Sequence, residues 1–61
     1  MSTEILIIDD NADIRLILNE LISDAGYKTR VAANYKQALS EIDKKLPDVA
    51  IIDVKLDKGD N

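Results

Sequence analysis

Sixty-one residues lie below the usual domain size of about 100–150, and a chain this short buries only about 60% of its surface on folding. A composition of 46% hydrophobic and 33% charged residues is globular, while the absence of cysteine and histidine excludes disulfides, thiolate or ordinary zinc sites, imidazole bases and nucleophile–histidine pairs. Eight basic against twelve acidic residues give a net charge of −4, which argues against a nucleic-acid surface and suits a hard cation.

Chain order begins with Met1-Ser2-Thr3-Glu4, which lacks the basic start of a signal peptide. No apolar run reaches the roughly 20 residues that span a bilayer, so no membrane partner is expected and the cytoplasm is the default location. Ile5-Leu6-Ile7-Ile8 is an unbroken apolar run ending in Asp9-Asp10-Asn11. It predicts a strand buried on both faces, the kind found in parallel sheets. Asn11 is a good helix N-cap, with Asp13 in the first turn where the macrodipole favours an anion. Ile14, Ile17, Leu18, Leu21, Ile22 and Ala25 recur at helical spacing, and Gly26 follows as a left-handed terminator. A helix is therefore predicted over 12–25. Leu16 lies about 200° around it from Ile14, beside Arg15, Asn19 and Glu20. It is either a stray surface leucine or part of a partner-docking patch.

Tyr27-Lys28-Thr29-Arg30-Val31-Ala32 alternates, with Tyr27, Thr29 and Val31 on one face and charges on the other, as in an edge or half-exposed strand. Asn34 and Gln37 form a capping-box-like pair. Tyr35, Ala38, Leu39, Ile42 and Leu46 then define a second amphipathic helix, stopped by Pro47. Val49-Ala50-Ile51-Ile52 leading into Asp53 repeats the design of the first strand and belongs inside a sheet. Val54-Lys55-Leu56-Asp57-Lys58-Gly59-Asp60-Asn61 is polar, turn-forming and unfinished, so the chain is expected to be cut off after its third strand. Strand, helix, strand, helix, strand is an α/β pattern, and right-handed crossovers place the helices on the sheet faces.

Ligands of open α/β sheets bind outside the carboxyl ends of the strands. Two buried strands ending in acid can bring Asp9, Asp10 and Asp53 together there. Clustered carboxylates repel, and a few oxygen ligands with room for water favour Mg²⁺ over zinc or copper. Asp53 could then attack phosphorus and form an aspartyl phosphate. Taken separately, Asp9 and Asp10 also suit a turn before a helix, and Asp53 an ordinary strand end. Neither a base nor a substrate-shaped glycine-rich loop is present, so an enzyme with its own substrate is not expected.

Three pieces carry a family resemblance: Ile5-Leu6-Ile7-Ile8-Asp9-Asp10-Asn11, the Gly26-Tyr27 join, and Pro47-Asp48-Val49-Ala50-Ile51-Ile52-Asp53. The chain resembles the amino-terminal half of a bacterial two-component response-regulator receiver domain, over essentially its whole length. The resemblance implies a truncated flavodoxin-like fold, residues 1–61 forming a parallel three-stranded sheet of order 2-1-3 with two helices. It implies that a sensor histidine kinase phosphorylates Asp53. It also implies that Asp10 ligates Mg²⁺ directly, Asp9 mainly through water, and the Lys55 backbone carbonyl as a further ligand. By the same analogy Arg15, Leu16, Asn19, Glu20 and Ser23 dock on the kinase's helical pair.

Asn11 stands where many relatives carry glutamate. No proline follows Leu56, and the acidic loop there resembles the NtrX type. The family's fourth and fifth strands, with a threonine or serine and a lysine that meet the phosphoryl group, are not in this sequence, and neither Lys55 nor Lys58 occupies that lysine's position. Phosphotransfer is accordingly expected to be impaired. In the family's strand order the run from Val49 to Val54 is then left as an apolar edge, which makes a self-associating fragment the alternative function. A homo-oligomer, a two-fold dimer joined near the third strand, is the expected assembly.

Overall fold

A computed structural model of the chain describes residues 2–53. Strand β1 (Glu4–Ile8) leads to helix α1 (Ala12–Asp24), β2 (Lys28–Ala32), α2 (Tyr35–Lys44) and β3 (Val49–Ile52). All pairing is parallel, in the order β2-β1-β3. This is the sheet order and helix count expected for the amino-terminal part of a flavodoxin-like receiver fold.

Among the described residues β1 alone is paired on both sides, which makes it the centre of the sheet. Its register sets Ile5 and Ile7 beside Thr29, Val31, Val49 and Ile51 on one face, and Leu6 and Ile8 beside Arg30, Ala32, Ala50 and Ile52 on the other. Leu6 and Ile7 are wholly buried, one on each face, as an unbroken apolar run requires. Leu6, Ile8 and Ala32 pack with Ala38 of α2, and half-buried Ile42 closes the cluster. On the opposite face α1 is tied to β2 by polar contacts: Thr29 bonds the Asn19 side chain, and its hydroxyl lies 3.1 Å from that of Ser23.

Both caps of α1 follow the sequence. Asn11 Oδ1 accepts the N–H groups of Asp13 and Ile14 at 2.8 and 3.1 Å. At the other end the Gly26 N–H reaches Ser23 O and the Tyr27 N–H reaches Ile22 O, a Schellman pair that requires Gly26 at φ 101°. Ala25 is the cap rather than the last helical residue. No residue of α1 is fully buried: its apolar stripe meets the sheet at one margin only. Leu16, at 57% exposure, therefore falls between the stripe residues Ile17 and Leu21, at 51% and 62%.

Helix α2 starts as predicted, with Asn34 Oδ1 capping the Gln37 N–H, while Gln37 reaches back one residue further, to the Ala33 N–H. It ends earlier than its stripe suggests. Lys45 is already extended, so Leu46 lies outside the helix and is exposed. The proline restriction acts on Leu46 itself, and the Arg30 guanidinium fixes the turn by donating to the carbonyls of Glu41 and Lys45.

Strand β3 pairs only with β1, so among the described residues it is the apolar edge expected for this run. Its entry is locked by Asp48, whose N–H donates to Glu4 O while its carboxylate accepts the Glu4 N–H, both at 2.8 Å. Val54, which the sequence adds to this run, lies outside the described residues.

Candidate phosphoacceptor and metal site

The carboxyl ends of β1 and β3 are brought level by the ladder itself. The Asp9 N–H donates to Ala32 O at 3.1 Å, and the Asp53 N–H donates to Ile8 O at 3.0 Å, so each acid continues its strand by one residue. Asp9, Asp10 and Asp53 thereby offer carboxylate oxygens that all lie within 4.8 Å of one another. Carboxylates gathered this closely repel one another. A cation between them therefore stabilises the cluster.

The three acids differ in setting. Asp9 is 9% exposed, Asp53 half-buried and Asp10 open to solvent. The polar groups of Asp9 are extensively engaged: Oδ1 accepts the Asn11 N–H at 2.9 Å, and the main-chain carbonyl accepts Arg15 Nη1 at 2.8 Å. Asp10, by contrast, makes no hydrogen bond among the described residues. With Asn11 and Ile14 the three acids line an open cleft of about 470 Å³ beside the α1 N-terminus, whose dipole favours anions. A larger cleft, about 590 Å³, runs along α2 past Lys36, Leu39, Ser40, Ile42 and Asp43 and gathers no convergent donor set.

Three hard oxygen donors with open space between them match what Mg²⁺ takes from protein: a few carboxylates, the rest water. Lys55, whose carbonyl the sequence reading adds, lies outside the described residues, as do Leu56 to Asn61. Of the residues read as a docking patch, Leu16, Glu20 and Ser23 are exposed. Arg15 and Asn19 are half-buried and occupied within the chain, by Asp9 and Thr29. Sequence reasoning missed the Arg15–Asp9 bond, because a contact six residues back, past the start of a helix, leaves no periodic signal.

Among protein families, residues 5–60 match the response regulator receiver domain. The chain belongs to that family. Receiver domains are signalling modules of two-component systems, and the curated relatives of this one are consistent with that. Sporulation initiation phosphotransferase F of Bacillus subtilis is 45% identical over 56 residues, covering 92% of this chain and 45% of that protein. A putative NtrX-like response regulator of Rickettsia bellii is 40% identical over 53 residues, covering 87% and 11%. A probable transcriptional regulator, ycf27 of Guillardia theta, is 39% identical over 57 residues, covering 93% and 22%. This receiver chain thus spans less than half the length of each of these relatives. No solved structure gives a significant match. No helix among the described residues is long and apolar enough to cross a membrane.

Proposed function

We propose that Asp53 accepts a phosphoryl group from a sensor histidine kinase, and that Asp9, Asp10, Asp53 and the Lys55 carbonyl hold Mg²⁺ beside it. The reading rests on one observation, the approach of three carboxylates from two strand ends to within 4.8 Å. When bound, Mg²⁺ neutralises the carboxylates and the charge on the phosphoryl oxygens. Asp53 is the nucleophile. Its carboxylate oxygen bonds to phosphorus as the P–N bond of the kinase's phosphohistidine breaks. The electron pair returns to the imidazole, which keeps or takes up a proton, and the product is an acyl phosphate. The scaffold holds the nucleophile still through the Asp53 N–H bond to Ile8 O. This reading carries a cytoplasmic location and treats the chain as the amino-terminal half of a longer receiver, with transfer impaired when that half stands alone.

Incubation with a small acyl phosphate and Mg²⁺ should add one phosphoryl group by mass, labile to hydroxylamine. Removing Mg²⁺ or substituting Asp53→Asn should abolish the addition. A modification that survives Asp53→Asn rejects the assignment.

Kinase docking is proposed for the outer part of α1, centred on exposed Leu16 with Glu20 and Ser23 and flanked by Arg15 and Asn19. In the full-length parent, Leu16→Asp should slow transfer from the kinase by about tenfold, the value of about 1.4 kcal/mol, while uptake from the small acyl phosphate stays the same. An unaltered kinase rate makes Leu16 an ordinary surface leucine.

The exposure of all four residues of β3 favours a second reading, a homo-oligomer assembled through that edge. The acids lie at one end of that strand, so uptake from the small acyl phosphate by the associated chain tests whether the dimer leaves Asp53 open or blocks it.

A further inference from the structure

The acid read as the direct metal ligand is the one with the least support. Asp10 belongs to neither strand nor helix, is open to solvent and makes no hydrogen bond among the described residues. The two peptide units that flank it are both held: Arg15 Nη1 donates to the carbonyl of the one to Asp9 at 2.8 Å, and the N–H of the one to Asn11 donates to Asp9 Oδ1 at 2.9 Å. A peptide unit is planar. Fixing its carbonyl therefore fixes the direction from which Asp10 leaves the chain.

Two opposing fields act on Arg15. The neighbouring acids attract its guanidinium. Its side chain reaches back six residues to the N-terminal end of α1, where the macrodipole disfavours a cation. A guanidinium near three acids would also repel an incoming Mg²⁺. Resting on a main-chain carbonyl instead of a carboxylate, it does not itself occupy a carboxylate oxygen. The Asp9 N–H is held by Ala32 O and its Oδ1 by the Asn11 N–H, so Arg15 completes a three-point fixation of the residue before Asp10.

We infer that Arg15 is a positioning residue for the metal site: by clamping the Asp9 carbonyl it aims the Asp10 carboxylate at the cation. The inference rests on the metal reading above. It predicts a sign opposite to that of simple charge. If Arg15 acts only as a nearby positive charge, its removal strengthens Mg²⁺ binding. As a positioning residue, its removal weakens binding.

The test is titration of the complete chain with Mg²⁺ alone, followed by amide NMR shifts, with circular dichroism recorded on each variant. Arg15→Gln should raise the Mg²⁺ dissociation constant about tenfold, the low end of the effect of supporting partners around metal ligands. Arg15→Lys, which keeps the charge and a donor, should recover part of the loss. Arg30→Gln breaks polar contacts at the opposite end of the sheet and serves as the control for general loosening. Compared at a protein concentration where circular dichroism shows each variant fully folded, it should leave the dissociation constant unchanged. Tighter or equal binding by Arg15→Gln overturns the inference, as does an equal loss in Arg15→Gln and Arg30→Gln. Failure of the metal reading is separate: Asp10→Ala would then bind Mg²⁺ as the unsubstituted chain does.

Discussion

Studied as these 61 residues, the chain should be folded at high concentration and lose its helical circular-dichroism signal on dilution below the micromolar range. Val49, Ile51 and Ile52 of β3 are 37% to 49% exposed although they stand in a strand that is apolar on both faces. Ile14, Ile17 and Leu21 of α1 and Tyr35 and Leu39 of α2 are also open. Each aliphatic side chain fully buried contributes roughly 1.5–3 kcal/mol. A domain is stable by roughly 5–15 kcal/mol in total, so leaving several such groups wet removes much of that margin. Association restores it, because whatever binds only the folded state stabilises that state by mass action. Among the described residues no strand pairs with the outer edge of β3, which from Val49 to Ile52 carries neither the lysine nor the proline that discourages pairing. Two copies related by a two-fold axis normal to the sheet would pair these edges antiparallel and continue one sheet across the interface. Sedimentation over a concentration series should show the dimer, with helix content rising in parallel. A Val49→Lys, Ile51→Lys double substitution should abolish both. A folded monomer at micromolar concentration excludes this assembly.

That exposure also marks where sequence reading stops. Strands β1 and β3 were legible because an unbroken apolar run of four residues has few other solutions, and matched acid endings on both foretold the convergence of Asp9, Asp10 and Asp53. The ends of α1 were legible because Asn11 and Gly26 act locally, each through backbone groups within a few residues. An amphipathic stripe identifies the apolar side of a helix but not how much of it is covered, so the openness of Ile17 and Leu21 could not be read from their spacing. Contacts that join distant points of the chain were silent. Asn19 looks like a surface residue until Thr29 arrives beside it, and Asp48 looks like a loop residue until it closes on Glu4.

Arg30 is the largest of these silent contributions, and its loss should have the largest effect on stability of any single surface-charge substitution. In sequence it reads as a charge guarding an edge strand. In the fold its guanidinium donates to two main-chain carbonyls at the end of α2, Glu41 O at 2.7 Å and Lys45 O at 2.6 Å, and pairs with the carboxylates of Glu4 and Glu41 at 3.2 and 3.1 Å. One residue of β2 thus joins the first strand to the end of the second helix. Arg30→Met keeps the apolar stem and removes every donor, leaving the helix carbonyls and a partly buried Glu4 without it. The expected loss is about 2–3 kcal/mol, the scale of hydrogen bonds to charged groups. Much of a small chain's stability would go with it. The pH dependence follows from the same contact. Hydrogen bonding from Arg30 holds the Glu41 carboxyl below its ordinary value, against the opposing effect of burial and with help from Lys44. A carboxyl lowered in the folded state makes the unfolded chain bind more protons in acid. The stability it contributes is therefore fully present above the ordinary glutamate pKa of 4.5 and is lost as pH falls through the lower folded value. Urea denaturation at one fixed protein concentration, repeated from neutral pH into the acid range, should show a lower midpoint for Arg30→Met throughout. The fall in acid should be shallower for both Arg30→Met and Glu41→Gln than for the unsubstituted chain. Equal acid slopes in all three chains would mean that Arg30 supports the fold through the helix carbonyls and Glu4, with no contribution through Glu41.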